Sequence, residues 1–414
     1  MHDVLIAGAG PVGLTLALRL ARHGIYATVL EALDAPERDL RASTFHPPTL
    51  DLFDEDGITP QLIAHGLVAP TWQVRMHATG EVAEFDLAIL RGHTRHPYRV
   101  QCEQSKLVDY LLARLATAYP QVQMRFGHRV TGLEARDAGV SLLCETAAGT
   151  QRFDGRYAVG CDGARSAVRK HLGLGFEGET FSENVILVAT DFPFHEHLKN
   201  LSTINYCWTD DGTFSLLRLP GLWRVSLYPD AGESVEAALE EAAIERKLQQ
   251  ICANSSPYRI LAKRNYRIHQ RVVARYRVGR VILAGDAAHI NSPSGGMGMN
   301  GGIHDAFNLA DKLAITLGAG GTAPNSTRGT APASHAADNE APLDHYERQR
   351  RPAALEHVLA QSGRNRARMQ ERDPSRRRAA LAELQAIAAD PERGLKHLLN
   401  TSMISGLQQA NATP

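Results

Sequence analysis

The sequence predicts an α/β protein in which a parallel-sheet unit carries an inserted antiparallel sheet and ends in helices. Three observations predict it. The chain opens strand, glycine turn, helix, strand. Its middle, from about 180 to 275, alternates short strands with turns. It then returns to a strand, a glycine-rich loop and a helix.

The first strand is read over 3–7, and the helix after it carries Leu14, Leu16, Leu18 and Leu20 and stops at Gly24, a residue suited to a C-cap. A second strand over 26–30 is closed by Glu31. Residues 106–118 place Leu107, Leu111, Leu112 and Leu115 on one helical face. Strands follow over 140–145 and 157–160. In the middle section, 203–208, 213–219 and 222–228 are separated by Thr209-Asp210-Asp211-Gly212 and Pro220-Gly221, which predicts a meander. A helix is expected over 235–250, a strand over 280–285 and a helix over 303–317. Residues 318–342 are poor in large apolar side chains and read as a flexible surface insertion. The tail is helical in composition, and its run of arginines from Arg364 to Arg378 reads as a solvated helix face.

The chain has 414 residues, enough for two or three domains of roughly 150 residues. Lys+Arg and Asp+Glu both number 45, so the formal charge is zero, with no general pull toward nucleic acid or an anionic membrane. No apolar run approaches the ~20 residues of a membrane span. Met1-His2-Asp3 lacks the basic start of a secretory signal. Five scattered cysteines, without a C-x-x-C, read as free thiols in the cytoplasm, and no spacing suits a metal site.

Three turns carry chemistry. The first is Gly8-Ala9-Gly10-Pro11-Val12-Gly13, a G-x-G-x-x-G between strand and helix. Gly8 permits the tight turn, Gly10 lets a pyrophosphate approach the backbone, and Gly13 lets the helix pack on the sheet. Free N–H groups at the helix start favour a phosphate. Glu31, 18 residues past Gly13, stands where an acid meets a ribose diol. Together these predict a Rossmann-like dinucleotide site. The second turn is Cys161-Asp162-Gly163-Ala164-Arg165, with Arg165 and Arg169 spaced to share a helix face. The third is Gly285-Asp286, followed by Pro293-Ser294-Gly295-Gly296-Met297-Gly298-Met299-Asn300-Gly301. There an acid can accept from a sugar hydroxyl, and glycines bring backbone N–H groups against a flat or anionic ligand.

In this order and at these separations, the three turns resemble those of the FAD-dependent aromatic hydroxylases of the para-hydroxybenzoate hydroxylase type, the single-component flavoprotein monooxygenases. The resemblance covers about 1–317 and resumes at Tyr346-Glu347-Arg348-Gln349-Arg350-Arg351-Pro352. It implies that FAD is the cofactor and NAD(P)H and O2 are co-substrates. A flavin hydroperoxide would then hydroxylate a phenolic or heteroaromatic small molecule. It also implies that Glu31 binds the adenosine ribose, that Arg41 lies near the pyrophosphate and that Gln104 touches the cofactor. Asp162, with Arg165, would serve both FAD and the nicotinamide nucleotide. Asp286 would hold the ribityl or pyrophosphate region, and Pro293 to Asn300 would line the isoalloxazine. No separate nicotinamide domain is expected, which agrees with transient NAD(P)H docking on the FAD fold. The missing W-x-W-x-x-P argues against the related halogenases.

The expected organisation is an FAD-binding domain in three parts (1–75, 101–178 and 276–317). The substrate domain is expected over 76–100 and 179–275, and helices over 343–414. Substrate candidates are Thr44, His46 and Pro293, with Trp208, Phe214, Leu216, Arg218, Trp223, Arg224 and Tyr228 from the meander. Strand alternation puts Phe214, Leu216 and Arg218 on one face, expected to look into the pocket. His289 is expected to make a structural hydrogen bond. The sequence names no general base, substrate, nicotinamide preference or oligomeric state. A reductase or dehydrogenase on the same fold, or a non-catalytic flavin-binding protein, remains open at this point.

Overall fold

The computed structural model describes residues 2–210, 212–319 and 340–414. The apolar run at the start forms β1 (His2–Ala7), and α1 (Pro11–Arg22) follows at once because Pro11 is preset for the first helical turn. The chain returns as β2 (Ala27–Leu30). Further on come α2 (Gln104–Ala118), β3 (Val122–Arg125), β4 (Gly149–Gly160), β5 (Val281–Leu283) and α3 (Gly298–Thr316). The parallel strands run β5-β4-β1-β2-β3 across the first sheet. Both faces are covered, so residues 4–7 of β1, all of β2 and all of β5 are buried without alternation, and all but Thr28 of these are apolar.

The second sheet has eight strands and contains the expected meander as Ile204–Trp208, Thr213–Leu219 and Leu222–Leu227. Two long strands, Glu177–Thr190 and Ile260–Val272, extend it on one side. On the other side Ile204–Trp208 pairs in parallel with Thr71–Met76, which continues to Val82–Asp86. Thr71–Met76 therefore sits in the second sheet, although the expected boundary at 75 assigned most of it to the first. One face of this sheet packs Ile186, Val188, Trp223 and Val225 against Ile244, Leu248 and Ile251 of the helix Glu241–Ile251. The expected single helix over 235–250 is two, Val235–Ala238 and Glu241–Ile251.

The C-terminal helices are not a detached appendage. Leu381, Leu384, Leu398 and Ile404 bury themselves against Trp72, Phe85 and Trp208 at the end of the second sheet. Nor is the arginine run simply solvated. Arg377 is fully buried, and Arg366 pairs with Glu183 while lying over the Phe181 ring. Most of the expected insertion over 318–342 lies outside the described residues. Among the described residues, no helix is long and apolar enough to cross a membrane.

Candidate active site

The three turns meet at one cleft of about 690 Å³ between the two large sheets. Gly8, Gly10, Pro11, Val12 and Glu31 line one end, Asp162 and Arg165 a side, and Asp286 with Pro293 to Met299 the middle. Arg41, Thr44 and Gln104 complete that half.

Local physics explains each wall. Gly8 has φ +101°, and a Cβ on it would lie 2.5 Å from the Cys161 carbonyl oxygen. Only glycine lets the first turn touch the second. Gly13 lies behind the wall, where a Cβ would come 2.0 Å from the Gly8 oxygen, so α1 sits hard against β1. Gly10 differs, because a Cβ there meets no protein atom within 4 Å. Glu31 is aimed by two backbone donors, Ala9 N at 2.7 Å and Leu33 N at 2.9 Å. Asp162 accepts from Ala167 N and Val168 N through one oxygen, while its other oxygen is buried without a partner.

Asp286 opens onto the cleft yet is crowded by protein atoms, and this desolvation raises its pKa against the pull of His289 and Arg41. Behind it, Asp305 joins three pieces. It accepts from Gly285 N at 3.1 Å, His289 Nε2 at 2.8 Å and Arg350 Nε at 2.7 Å. Burial alone would raise the Asp305 pKa, but Arg350 and His289 bring it down to about 2. Tyr346 adds a hydrogen bond of 2.8 Å to the Leu283 oxygen. The Tyr346–Arg350 segment thus braces the third turn from below. His289 makes the expected structural bond.

The glycine-rich stretch departs from the expected loop. The helix starts at Gly298, five residues before the expected 303. A Cβ on Gly302 would come 2.6 Å from Val12, so helical glycines here let α3 cross close to α1. Gly285 (φ +59°) also faces Val12. Asn300 is fully buried and fastens the loop, bonding His46 N, the Thr44 oxygen and the Gly296 oxygen. Gly13, Gly285 and Asn300 therefore shape the wall without lining it. Arg165 precedes the short helix Ala167–His171, so it does not share a helix face with Arg169, which is buried over Phe176.

The second sheet supplies the opposite wall through Leu187, Tyr206, Ser215, Leu217, Arg224, Ser226, Tyr228 and Tyr266. This corrects the expected face. Phe214, Leu216 and Trp223 point the other way, into the core beneath the sheet. The strand Thr213–Leu219 is largely buried on both sides, so its apolar residues did not mark one face. The polar alternation of Arg224, Ser226 and Tyr228 was the available signal. Arg218 contacts His195 at 3.0 Å, away from the cleft. Trp208 is fully buried, with its indole N–H donating to the Arg368 oxygen at 3.1 Å. His46 is also fully buried and is held to the Gly295 oxygen at 2.8 Å. Thr44, Pro293, Arg224 and Tyr228 do line the cleft. Arg224 ties the sheets together, donating to the Arg41 oxygen and to Glu103. Burial raises the pKa of Tyr206 and pushes Tyr228 to about 12, so both hydroxyls keep their protons near neutral pH.

Fold and cleft together define a dinucleotide-binding protein. Residues 1–358 match the FAD binding domain family, to which the chain belongs. The para-nitrophenol 4-monooxygenase of a Pseudomonas species (strain WBC-3) is 32% identical over 385 residues, covering 91% of this chain and 89% of that protein. The 6-hydroxy-3-succinoylpyridine 3-monooxygenase of Pseudomonas putida is 33% identical and covers 75% of this chain and 78% of its own length. The crystal structure of p-nitrophenol 4-monooxygenase from Pseudomonas putida DLL-E4 superposes with a TM-score of 0.87, 29% identity and 98% coverage of both chains. Aklavinone-11 hydroxylase, solved with FAD and aklavinone, gives a TM-score of 0.74 at 26% identity, covering 89% of this chain and 69% of that one. These relatives place the chain among the FAD-dependent aromatic monooxygenases. The cleft suits FAD on two counts: the open space over Gly10 at a helix N-terminus, and the unpartnered Asp162 oxygen beside it.

Proposed function

We propose that the chain uses NAD(P)H and O2 to hydroxylate a phenolic or heteroaromatic small molecule in the space between the Pro293–Met299 stretch and the second sheet. The convergence of the three turns on a single cleft, faced by a wall of tyrosine and serine hydroxyls, carries this reading. When bound, FAD supplies the redox and oxygen-activating chemistry. The protein's part is to bind, orient and exclude water. Backbone N–H groups at the start of α1 hold the pyrophosphate over Gly10, and Glu31 takes the adenosine ribose. Gln104 and Arg41 bind the cofactor from the side, Asp286 holds a ribityl hydroxyl, and Pro293, Gly296, Gly298 and Met299 bound the ring. Asp162 and Arg165 receive the nicotinamide nucleotide at the mouth. The second sheet and the C-terminal helices screen the reacting end from solvent, which suppresses unproductive release of hydrogen peroxide. Five free cysteines suit a reducing, cytoplasmic setting.

The test is direct. Purified protein should be yellow, and an aromatic substrate should speed its NAD(P)H oxidation and gain one oxygen by mass spectrometry. Product formed without oxygen would favour a reductase. Colourless protein that takes up no added FAD would end the proposal.

A further inference from the structure

Beyond the second-sheet wall the cleft continues into a recess of about 20 Å³, lined by Trp72, Arg99, Tyr206, Ser294, Asn365 and Arg368 among others. Tyr206, Ser294, Gly295 and Met369 belong to both spaces, so the recess adjoins the substrate end of the cleft. Its volume suits about one water-sized atom, such as a single oxygen.

The recess is built of donors. Arg99 is 2% exposed, donates to the Thr401 oxygen at 3.1 Å and lies over the Trp72 ring at 5.4 Å. Its Nε has no partner, and neither does the Trp72 indole N–H. Arg368 comes from the C-terminal helix Ala360–Gln370. Among the described residues, neither arginine has a carboxylate partner, and the charged groups that bear on them are further cations or tyrosine. Arg364 acts on Arg368, and both arginines press on His397. A buried guanidinium beside a half-buried one, with no counter-ion, is costly unless an anion completes the site. Two other buried arginines have acids, Arg350 with Asp305 and Arg224 with Glu103, while Arg75 and Arg169 are held by carbonyl and amide oxygens.

We propose that Arg99 and Arg368, with Tyr206, bind a negatively charged oxygen group on the aromatic substrate, a ring carboxylate or phenolate, and so select anionic over neutral rings. The inference rests on the proposed hydroxylase reading and names its substrate class. It also assigns the tail helix a direct part in recognition. The anion anchors one end of the ring beneath Tyr206, leaving the rest of the ring beside the Gly295–Gly296 turn.

Isothermal titration calorimetry on the FAD-loaded protein tests it with matched probes. 4-Hydroxybenzoate against 4-hydroxybenzamide reads the carboxylate. 4-Nitrophenol above and below its own ionisation reads the phenolate. The charged member of at least one pair should bind about 10- to 100-fold more tightly. That ratio should approach unity in Arg99→Gln and in Arg368→Gln. If Arg99→Gln loses its fold or its FAD, Arg368→Gln decides, since Arg368 is the less buried of the two. Equal binding of charged and neutral probes overturns the inference. So does failure of every charged probe to bind, or a ratio that survives Arg368→Gln. Absence of oxygenated product alongside a clear charge preference would instead count against the hydroxylase reading alone.

Discussion

Replacing Gly10 by alanine separates what the first turn does for the fold from what it does for the cofactor. Gly10 has φ −75° and ψ −178°, an extended backbone open to any residue. An added methyl meets no protein atom within 4 Å. The cofactor-free protein should therefore keep its stability to within about 0.5 kcal/mol, or gain up to about 1 kcal/mol from a stiffer unfolded chain. The methyl does intrude on the space where the pyrophosphate must approach. An overpacking cost of about 1–3 kcal/mol corresponds to FAD affinity weakened roughly 5- to 150-fold. Gly13→Ala should behave in the opposite way. Its Cβ would come 2.0 Å from the Gly8 oxygen and 3.3 Å from Ile6, so α1 must lift off β1. That change destabilises the cofactor-free protein itself, by several kcal/mol. The assay is thermal melting of both apoproteins, followed by FAD titration monitored by quenching of flavin fluorescence. Wild-type FAD affinity in Gly10→Ala would refute the reasoning. Apoproteins equally destabilised by the two substitutions would refute it too.

Leu216→Ala should cost about 2–5 kcal/mol in urea unfolding while leaving the affinity of a bound aromatic ligand unchanged. Leu217→Ala should alter ligand affinity, because only Leu217 faces the cleft. Arg350→Met should cost about 3–5 kcal/mol by leaving Asp305 buried without its main partner, measured as a lower denaturant midpoint. Stability should also fall as pH drops below about 6.5, read as Tm across a pH series. Burial and Arg350 lower His304 to about 3, and burial and nearby arginines lower His397 to about 4. The unfolded chain takes up those protons first, so stability present above the unfolded pKa of ~6.5 is lost on acidification. The loss is about 2 kcal/mol for each of these histidines at about pH 5. A flat Tm between pH 7 and 5 would contradict this.

The half of the cleft built from the three turns was legible because its geometry is local. A tight turn, a close backbone approach and a helix start are specified by glycines a few residues apart, and β1, α1 and Glu31 follow in register. The wall supplied by the second sheet was not. Phe214 and Leu216 looked like pocket residues because they are apolar, yet their strand is covered on both sides. Which face meets the cleft was decided by the helix Glu241–Ile251 claiming the other one. Arg99 and Arg368 lie far apart in the chain, and their shared recess forms only when the tail helices fold back over the second sheet.

The amino-acid order alone was enough to determine an α/β dinucleotide fold with three ligand-facing turns, since each depends on the conformational freedom of neighbouring residues. Tertiary structure decided which side chains line the cleft opposite the three turns and which arginines are left without an acid beside it. Burial and pairing depend on what packs against a residue, and that partner comes from another part of the chain.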